Sequence, residues 1–476
     1  MHHDGPAMSR RTSHRTGLSK PVSHTVIAAV AFLAVVSVIG LAGPAQPAVA
    51  TSPFAAPTVP VPALISPGEY LGFALNFIEQ QSLRRAGVDW PAIRARAEAR
   101  GATSATVADT YPIITDTLKA LNDPHASFRP PARSTEITQG QANGYGFLAS
   151  WPQRIVVSLA SGGPAATAGV RLGDRIDLVE GRAPTGSKQV VAIPAMTKVK
   201  DTLRLTVTRK ASVSGVSKAR RLAIVVRKGS VSLVSVPEQD PATVKTVGER
   251  IGYIDLPGIL GTPDDQQRYA GAAHAAIRTT AQAPRCGWIV DVRRNRGGWV
   301  YPVLTAAAPL VPLDSTGVMM GKFDAAGITE QWMYRNGELV VRRPGANPPE
   351  YPVFTVGNPF TPIPLAAPAP VAVLVSGLTA SAGEALVLSF RGRAAVRTFG
   401  QRTLGLTTFD AVGPLPDGAL ILVSNAAMVD SQGTRQEGPI EPDQPVEPDW
   451  SHVGDNADPI LTAARTWLES QPSCLR

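Results

Sequence analysis

Residues 371–384 read VAVLVSGLTASAGE, and the rest of the chain is organised around them. Val371 to Val375 is a valine-rich apolar run of the right length for a buried strand. Ser376 and Gly377 break it. Thr379, Ala380, Ser381, Ala382 and Gly383 are all small, and Glu384 to Phe390 reads as a helix. A serine on a tight strand-to-helix turn among small neighbours presents its hydroxyl at the mouth of a cleft. The helix N-terminus behind it offers free backbone N–H groups to developing negative charge. Ser381 is therefore a candidate nucleophile. Taken alone, the stretch fits equally well a strand, a turn and a helix that merely pack closely.

Two further stretches shift that balance: LNDPHASF at Leu121–Phe128 and GWIVDVRRNRGG at Gly287–Gly298. TASAGE after an apolar strand resembles the nucleophile motif of the S41 peptidases, the family of C-terminal processing, tail-specific and tricorn-core enzymes. The second stretch resembles that family's strand followed by D-x-R-x-N-x-G-G, and the first its L-x-D-x-H segment. The resemblance runs over roughly residues 66–448. It implies an α/β fold with a ClpP/crotonase-like catalytic core, and hydrolysis through an acyl-enzyme.

A serine hydroxyl needs a base. Processing peptidases of the family commonly take a lysine from a glycine-flanked loop after the serine. Here that loop is Gly405-Leu406-Thr407, and no lysine follows Lys322. The tricorn-like branch instead implies Ser, His and Glu. Beyond the N-terminal segment the histidines are His125, His274 and His452. His274 falls in an alanine-rich helix and reads as structural, and His452 falls in the tail. His125 follows a helix in the matching segment and is the expected base. The family's C-terminal E-x-x-G-V-x-P-D-like loop corresponds to Gln436–Asp443, which makes Glu437 the expected orienting carboxylate, with Gln436 and Glu441 beside it. Glu384 reads as first-turn helix stabilisation. Oxyanion donors are expected at Ala382, just after the nucleophile, and by resemblance at Gly297 or Gly298.

Strands alternate with helices after Arg250, which indicates a layered α/β core. The expected organisation is a signal peptide or membrane anchor at 1–50, a Pro/Ala-rich linker at 51–65, an N-terminal helical region at 66–135, a mostly-β PDZ-like domain with a strand extension at 140–236, the peptidase core at 248–450 and a tail at 451–476. Ser66, Pro67 and Glu69 form a capping-box signature for a first helix whose face carries Tyr70, Phe73, Ala74, Phe77 and Ile78. A second helix is expected at 92–100 and a third at 105–121. Gly144-Tyr145-Gly146-Phe147, with the glycine-bounded segments after it, resembles a PDZ carboxylate-binding loop. Its partners would be protein chains with free C-termini, captured by strand addition. Asn336-Gly337 between two apolar runs marks a hairpin.

Arg10 to Lys20 is basic, residues 26–43 are apolar and uncharged, and Ala48-Val49-Ala50 offers a small-x-small cleavage site. The segment is either a cleaved export signal or a membrane anchor, and in both cases the body of the protein is exported. Cys286 and Cys474 can then form one bridge in an oxidising compartment. The formal charge of +9 is diluted over the chain without basic runs interleaved with aromatics, which argues against nucleic acid. There is no H-E-x-x-H, dinucleotide fingerprint or P-loop, so no metal or organic cofactor is expected. The reading is an exported serine peptidase acting on unfolded or C-terminally exposed proteins. The alternatives are a catalytically inactive binding or scaffold protein on the same fold and an acyl-transfer or ester hydrolase.

Overall fold

The computed structural model describes residues 65–150, 153–184, 200–213, 216–233, 244–248, 250–283, 285–324, 327–346, 349–356 and 369–475. The expected signal or anchor, nearly all of the linker, and parts of the stretch expected to be PDZ-like at 140–236, its end included, lie outside these residues.

Two sheets frame the largest core. One has six strands in the order Gln444–Pro445, Val396–Gly400, Val371–Val375, Gly287–Asp291, Ile251–Asp255 and Val244–Val247. Neighbours are parallel except at Val244–Val247. The three central strands are buried at every residue, which is why they read as continuous apolar runs rather than alternating ones. Their side chains divide by the strand period of two. Val371, Val373 and Val375 face a large core formed with the helices Pro263–Thr280, Val300–Ala307 and Ala382–Phe390. Ala372 and Leu374 face the C-terminal helix Pro459–Glu469 through Ile460, Leu461 and Leu468.

The large core continues onto the second sheet, which has seven strands and is antiparallel in its order Ser127–Arg129, Leu420–Val429, Val318–Asp324, Gly327–Arg335, Glu338–Arg342, Glu350–Thr355, with Thr408–Pro414 also paired to Leu420–Val429. The Asn336-Gly337 hairpin forms as expected, with positive φ at both residues, 50° and 83°. The mixed α/β class read from the sequence is the one observed.

The first helix spans Pro67–Gln81 with its capping box formed. Its buried stripe is Tyr70, Leu71, Ala74, Leu75 and Ile78. Phe73, expected on that face, is 51% exposed, because it lies a third of a turn off the 70/74/78 stripe that Leu71 and Leu75 complete. The second helix is Trp90–Gly101. The expected third helix divides into a tight turn, Val107–Thr110, and an α-helix, Tyr111–Ala120. Pro112 has no N–H to continue a helix from Ala108, and the Thr106–Asp109 box starts the turn instead. These helices pack on Leu415, Ala419, Ile421 and Val423 of the Thr408–Val429 hairpin, so the loop that follows them, with His125, is anchored to the second sheet.

Residues 140–233 have a small core of their own, including Phe147, Val156, Ala165, Ile176, Val207 and Val226. Antiparallel strand pairs, the longest between Thr202–Val213 and Val216–Arg227, and the helix Pro164–Thr167 surround it. A satellite cluster of Leu148, Val157 and Trp450, with Leu378 and Val453 against it, joins this part to the core.

The C-terminal helix was not anticipated, although Asp458 and Pro459 carry a start signal. Asp458 caps it, accepting from the Ile460 and Leu461 N–H groups. The same carboxylate pairs with Arg293, which is fully buried and also paired with Asp291. Cys286 and Cys474 are joined by a disulfide, so the tail is fixed to the sheet at both ends of the helix. Truncating Asp458 leaves a buried guanidinium half-compensated and removes a cap. Asp458→Ala is expected to lower stability by about 3–5 kcal/mol, read as a lower urea midpoint; an unchanged midpoint would show that Asp291 alone satisfies Arg293.

Candidate active site

Ser381 sits at the turn between Val371–Val375 and Ala382–Phe390 with φ 52° and ψ −114°. An L residue rarely adopts this conformation, and holding it costs roughly 1–3 kcal/mol. The cost is met by contacts on every side. The Ser381 N–H donates to Glu384 Oε2 at 2.9 Å, and the Ser381 carbonyl accepts from Ala385 N–H at 2.9 Å. Ala380 N–H donates to the Asn295 carbonyl at 2.9 Å. The small residues are required by space: a Cβ on Gly383 would lie 2.8 Å from that same carbonyl oxygen. Thr379 and Ser376 turn their hydroxyls inward, donating to the Val292 and Arg293 carbonyls at 2.9 and 2.7 Å.

The facing loop, Val292–Trp299, is shaped by Asn295. Its side-chain nitrogen donates to the Leu256 carbonyl and its oxygen accepts from Gly297 N–H, both at 3.0 Å. Gly297 and Gly298 have φ of 93° and 117°. A Cβ at Gly297 would stand 2.8 Å from the Ser381 Cβ, so glycine there lets the loop backbone close on the serine. Of the expected oxyanion donors, Gly297 N–H is already engaged by Asn295. Gly298 N–H has no acceptor among the described residues, and Ala382 opens the helix, where N–H groups lack intrahelical partners.

Glu384 is fully buried and reaches beyond its own helix. It accepts from the Ser381 N–H, the Gly405 N–H at 2.7 Å and the Thr403 hydroxyl. Burial raises its pKa against these hydrogen bonds. The sequence reading as first-turn stabilisation captured one of its three attachments. Leu404, between the other two, donates its N–H to the Thr379 carbonyl at 2.9 Å and leaves its side chain 51% exposed.

His125 lies in the loop before Ser127–Arg129. Its Nδ1 is 2.9 Å from Thr408 Oγ1, and its Nε2 is 3.4 Å from Asp410 Oδ2. Asp123 receives the His125 backbone N–H at 3.1 Å and the Ser424 N–H and hydroxyl at 3.1 and 2.9 Å. No hydrogen bond links His125 to Ser381 among the described residues. Glu437 is not brought to the histidine either: its carboxylate is largely exposed and pairs with Arg435 at 2.9 Å. Gln436 turns away to the Arg391 guanidinium and the carbonyls of Gly438 and Pro439. The carboxylates beside His125 are Asp123 and Asp410, on segments where the resemblance placed no orienting acid. Asp123 is the aspartate of the L-x-D-x-H segment itself. For Asp410 the one signal was its place in the strand after the Gly405 loop, visible once that strand pairs next to His125.

Gly144 ends a strand pairing with Gly229–Ser232, and Tyr145 is buried with its hydroxyl on the Lys200 carbonyl at 2.9 Å. Gly146 has φ 78°, and its carbonyl accepts from Ala160 N–H at 2.8 Å. Phe147 fills the small core. Among the described residues no cluster of His, Cys, Asp and Glu is arranged to hold a metal ion, and no helix is long and apolar enough to cross a membrane.

Burial dominates the titration of the histidine's surroundings. It lowers His125 from 6.5 to about 4, opposed by Asp123 and reinforced by Arg129. It pushes Asp410 from 3.8 up to about 8, with Asp123 adding and Arg129 opposing. A neutral His beside a protonated Asp differs from an ion pair only in where one proton sits, so the pair is electrically neutral in either form. Between about pH 4 and 6.5 the proton His125 lacks and the proton Asp410 keeps cancel relative to the unfolded chain. From about pH 6.5 to 8 only Asp410 counts: the folded state holds a proton that the unfolded state has lost, so stability falls as pH rises. The expected fall is on the order of 1–2 kcal/mol across that window. Asp410→Asn should flatten it, as read from urea midpoints at a series of pH values; an equally steep fall in the variant would assign the proton elsewhere.

Residues 250–446 match the model of peptidase family S41. A chloroplastic C-terminal processing peptidase of Tetradesmus obliquus is 24% identical over 345 residues, 67% of this chain and 64% of that protein. A nisin-resistance protein of Lactococcus lactis subsp. lactis is 26% identical over 194 residues, 40% of this chain and 54% of that protein. The chain therefore spans less than two thirds of these relatives. A structure described as an S41 protease from Bacteroides fragilis aligns with a TM-score of 0.52 over 83% of this chain and 96% of that one at 13% identity, a likeness of fold.

Proposed function

We propose that this chain, whose residues 250–446 match the model of peptidase family S41, is an exported serine peptidase that hydrolyses unfolded or C-terminally exposed proteins. The observation that carries the reading is the backbone of Ser381, held in a rare conformation on a strand–turn–helix with Gly297 packed against its side chain. Strain of this kind is retained where a hydroxyl has to project from the turn. In the proposed reaction Ser381 Oγ attacks the peptide carbonyl as His125 takes its proton. His125 then returns the proton to the leaving amine, and water hydrolyses the acyl-enzyme by the reverse sequence. The Ala382 and Gly298 N–H groups receive the oxyanion, and Gly297 shapes the loop that presents them. Burial keeps His125 neutral above about pH 4, the state a general base must start from. His125 stands on Thr408 and Asp410 in the unliganded protein, and catalytic hydrogen bonds of unliganded enzymes often close only with substrate bound.

Residues 140–236 serve in this reading as a PDZ-like domain, with Gly144, Tyr145, Gly146 and Phe147 receiving the terminal carboxylate of the captured chain. The disulfide between Cys286 and Cys474 suits an oxidising compartment, and residues 26–43 supply the export signal or anchor. One observation favours the competing reading, a silent binding protein on the same fold: both ring nitrogens of His125 face Thr408 and Asp410.

The test is cleavage of an unfolded model protein by the exported region. Ser381→Ala and His125→Ala are each expected to lower the rate by a factor of 1,000 or so while the folded spectrum is retained. Wild-type rates in His125→Ala would remove the histidine from the mechanism, and inactivity of the unmodified protein on a broad substrate panel would favour the binding protein.

A further inference from the structure

The stretch Arg293-Arg294-Asn295-Arg296 places three arginines within four residues. Two of them are neutralised inside the protein, Arg293 by Asp291 and Asp458 and Arg294 by Asp255. Arg296 has no carboxylate, carbonyl or aromatic ring as a partner among the described residues. It also stands where a charge matters most. The residue before it, Asn295, holds the Ala380 N–H, and the residue after it, Gly297, lies against the Ser381 side chain. Asn295 and Gly297 are buried while Arg296 is exposed, so its side chain leaves the core from this loop. The loop follows the carboxyl end of Gly287–Asp291, next to that of Val371–Val375, and open α/β sheets bind ligands at the carboxyl ends of their strands. The protein crowded around Arg296 lowers its pKa by desolvation, and a guanidinium still keeps its charge at any ordinary pH. A cation at this loop, with no counter-ion among the described residues, gains from an anion brought by a ligand. A planar fork matches a carboxylate through two parallel hydrogen bonds.

We propose that Arg296 is a specificity-determining residue that binds a substrate carboxylate within a residue or two of the scissile bond. The carboxylate is either the free end of the chain or an Asp or Glu side chain, and the two offer the same chemistry to the guanidinium. The proposal rests on Ser381 being the nucleophile. It makes the catalytic cleft itself, and not only the Gly144–Phe147 loop, a reader of negative charge.

The experiment uses matched peptides carrying a free C-terminus or an amide, and Glu or Gln, at the positions flanking the cleaved bond. Wild-type protein is compared with Arg296→Gln and Arg296→Lys. The expected result is a loss of about tenfold or more in kcat/KM for the carboxylate-bearing member of one pair in Arg296→Gln, little change for its neutral counterpart, and partial rescue in Arg296→Lys. The affected pair identifies the source: acid against amide for a chain end, Glu against Gln for a side chain. Equal losses on charged and neutral peptides, or no loss on either, overturn the proposal. Binding of the same fluorescent peptides to Ser381→Ala, with and without Arg296→Gln, separates it from the reading it rests on. If the wild type cleaves nothing but binding still depends on both the carboxylate and Arg296, the peptidase reading fails and the recognition site stands. If cleavage proceeds and neither readout depends on Arg296, the reverse holds.

Discussion

The structure depends on keeping one serine in a backbone conformation that its own chemistry disfavours. Ser381 cannot relax because its N–H is held by Glu384, its carbonyl by Ala385 and its predecessor's N–H by the Asn295 carbonyl. Each of these groups is itself fixed from further away. Asn295 is held by the Leu256 carbonyl, and Glu384 by Thr403 and Gly405. Loops that follow three strands of the parallel sheet thereby converge on the turn that follows a fourth. Together these attachments over-determine the turn, which is how a strained backbone persists in a folded protein.

The buried charges serve the same end from beneath. Arg293 is surrounded by Asp291, at the end of the strand leading into the glycine loop, and by Asp458, the cap of the C-terminal helix. A buried pair of this kind adds little net stability compared with an apolar core, but it is costly to break. Here it connects the orientation of the loop at Gly297 and Gly298 to the docking of a helix that covers the opposite face of the sheet. The Cys286–Cys474 disulfide closes that connection at the other end of the helix.

Much of this was legible in the sequence, for reasons that can be stated. The strand Val371–Val375 is buried on both faces, so its apolar run had no competing reading. Pro67 after Ser66, and Asn336-Gly337, are local signals whose geometry needs no tertiary partner. The small residues around Ser381 pointed to close approach, and the contacts at Gly297 and Gly383 give the reason. Three things escaped. The C-terminal helix has an ordinary cap, but its partner Arg293 is distant in sequence, so the tail looked unattached. The carboxyl beside the His125 ring is that of Asp410, which only strand pairing brings there, whereas a loop motif pointed to Glu437, whose side chain turns to Arg435. Glu384 looked like helix-end chemistry because its contacts with Thr403 and Gly405 are set by the fold.

The central claim is that this scaffold makes the Ser381 hydroxyl a reactive nucleophile with His125 as its base. It is tested most directly by reacting the intact exported region with a fluorophosphonate and locating the adduct by peptide mass mapping. The account predicts a single adduct on Ser381 whose rate of formation collapses in His125→Ala. An unreactive Ser381 in folded protein, or one that reacts equally fast without His125, would contradict it.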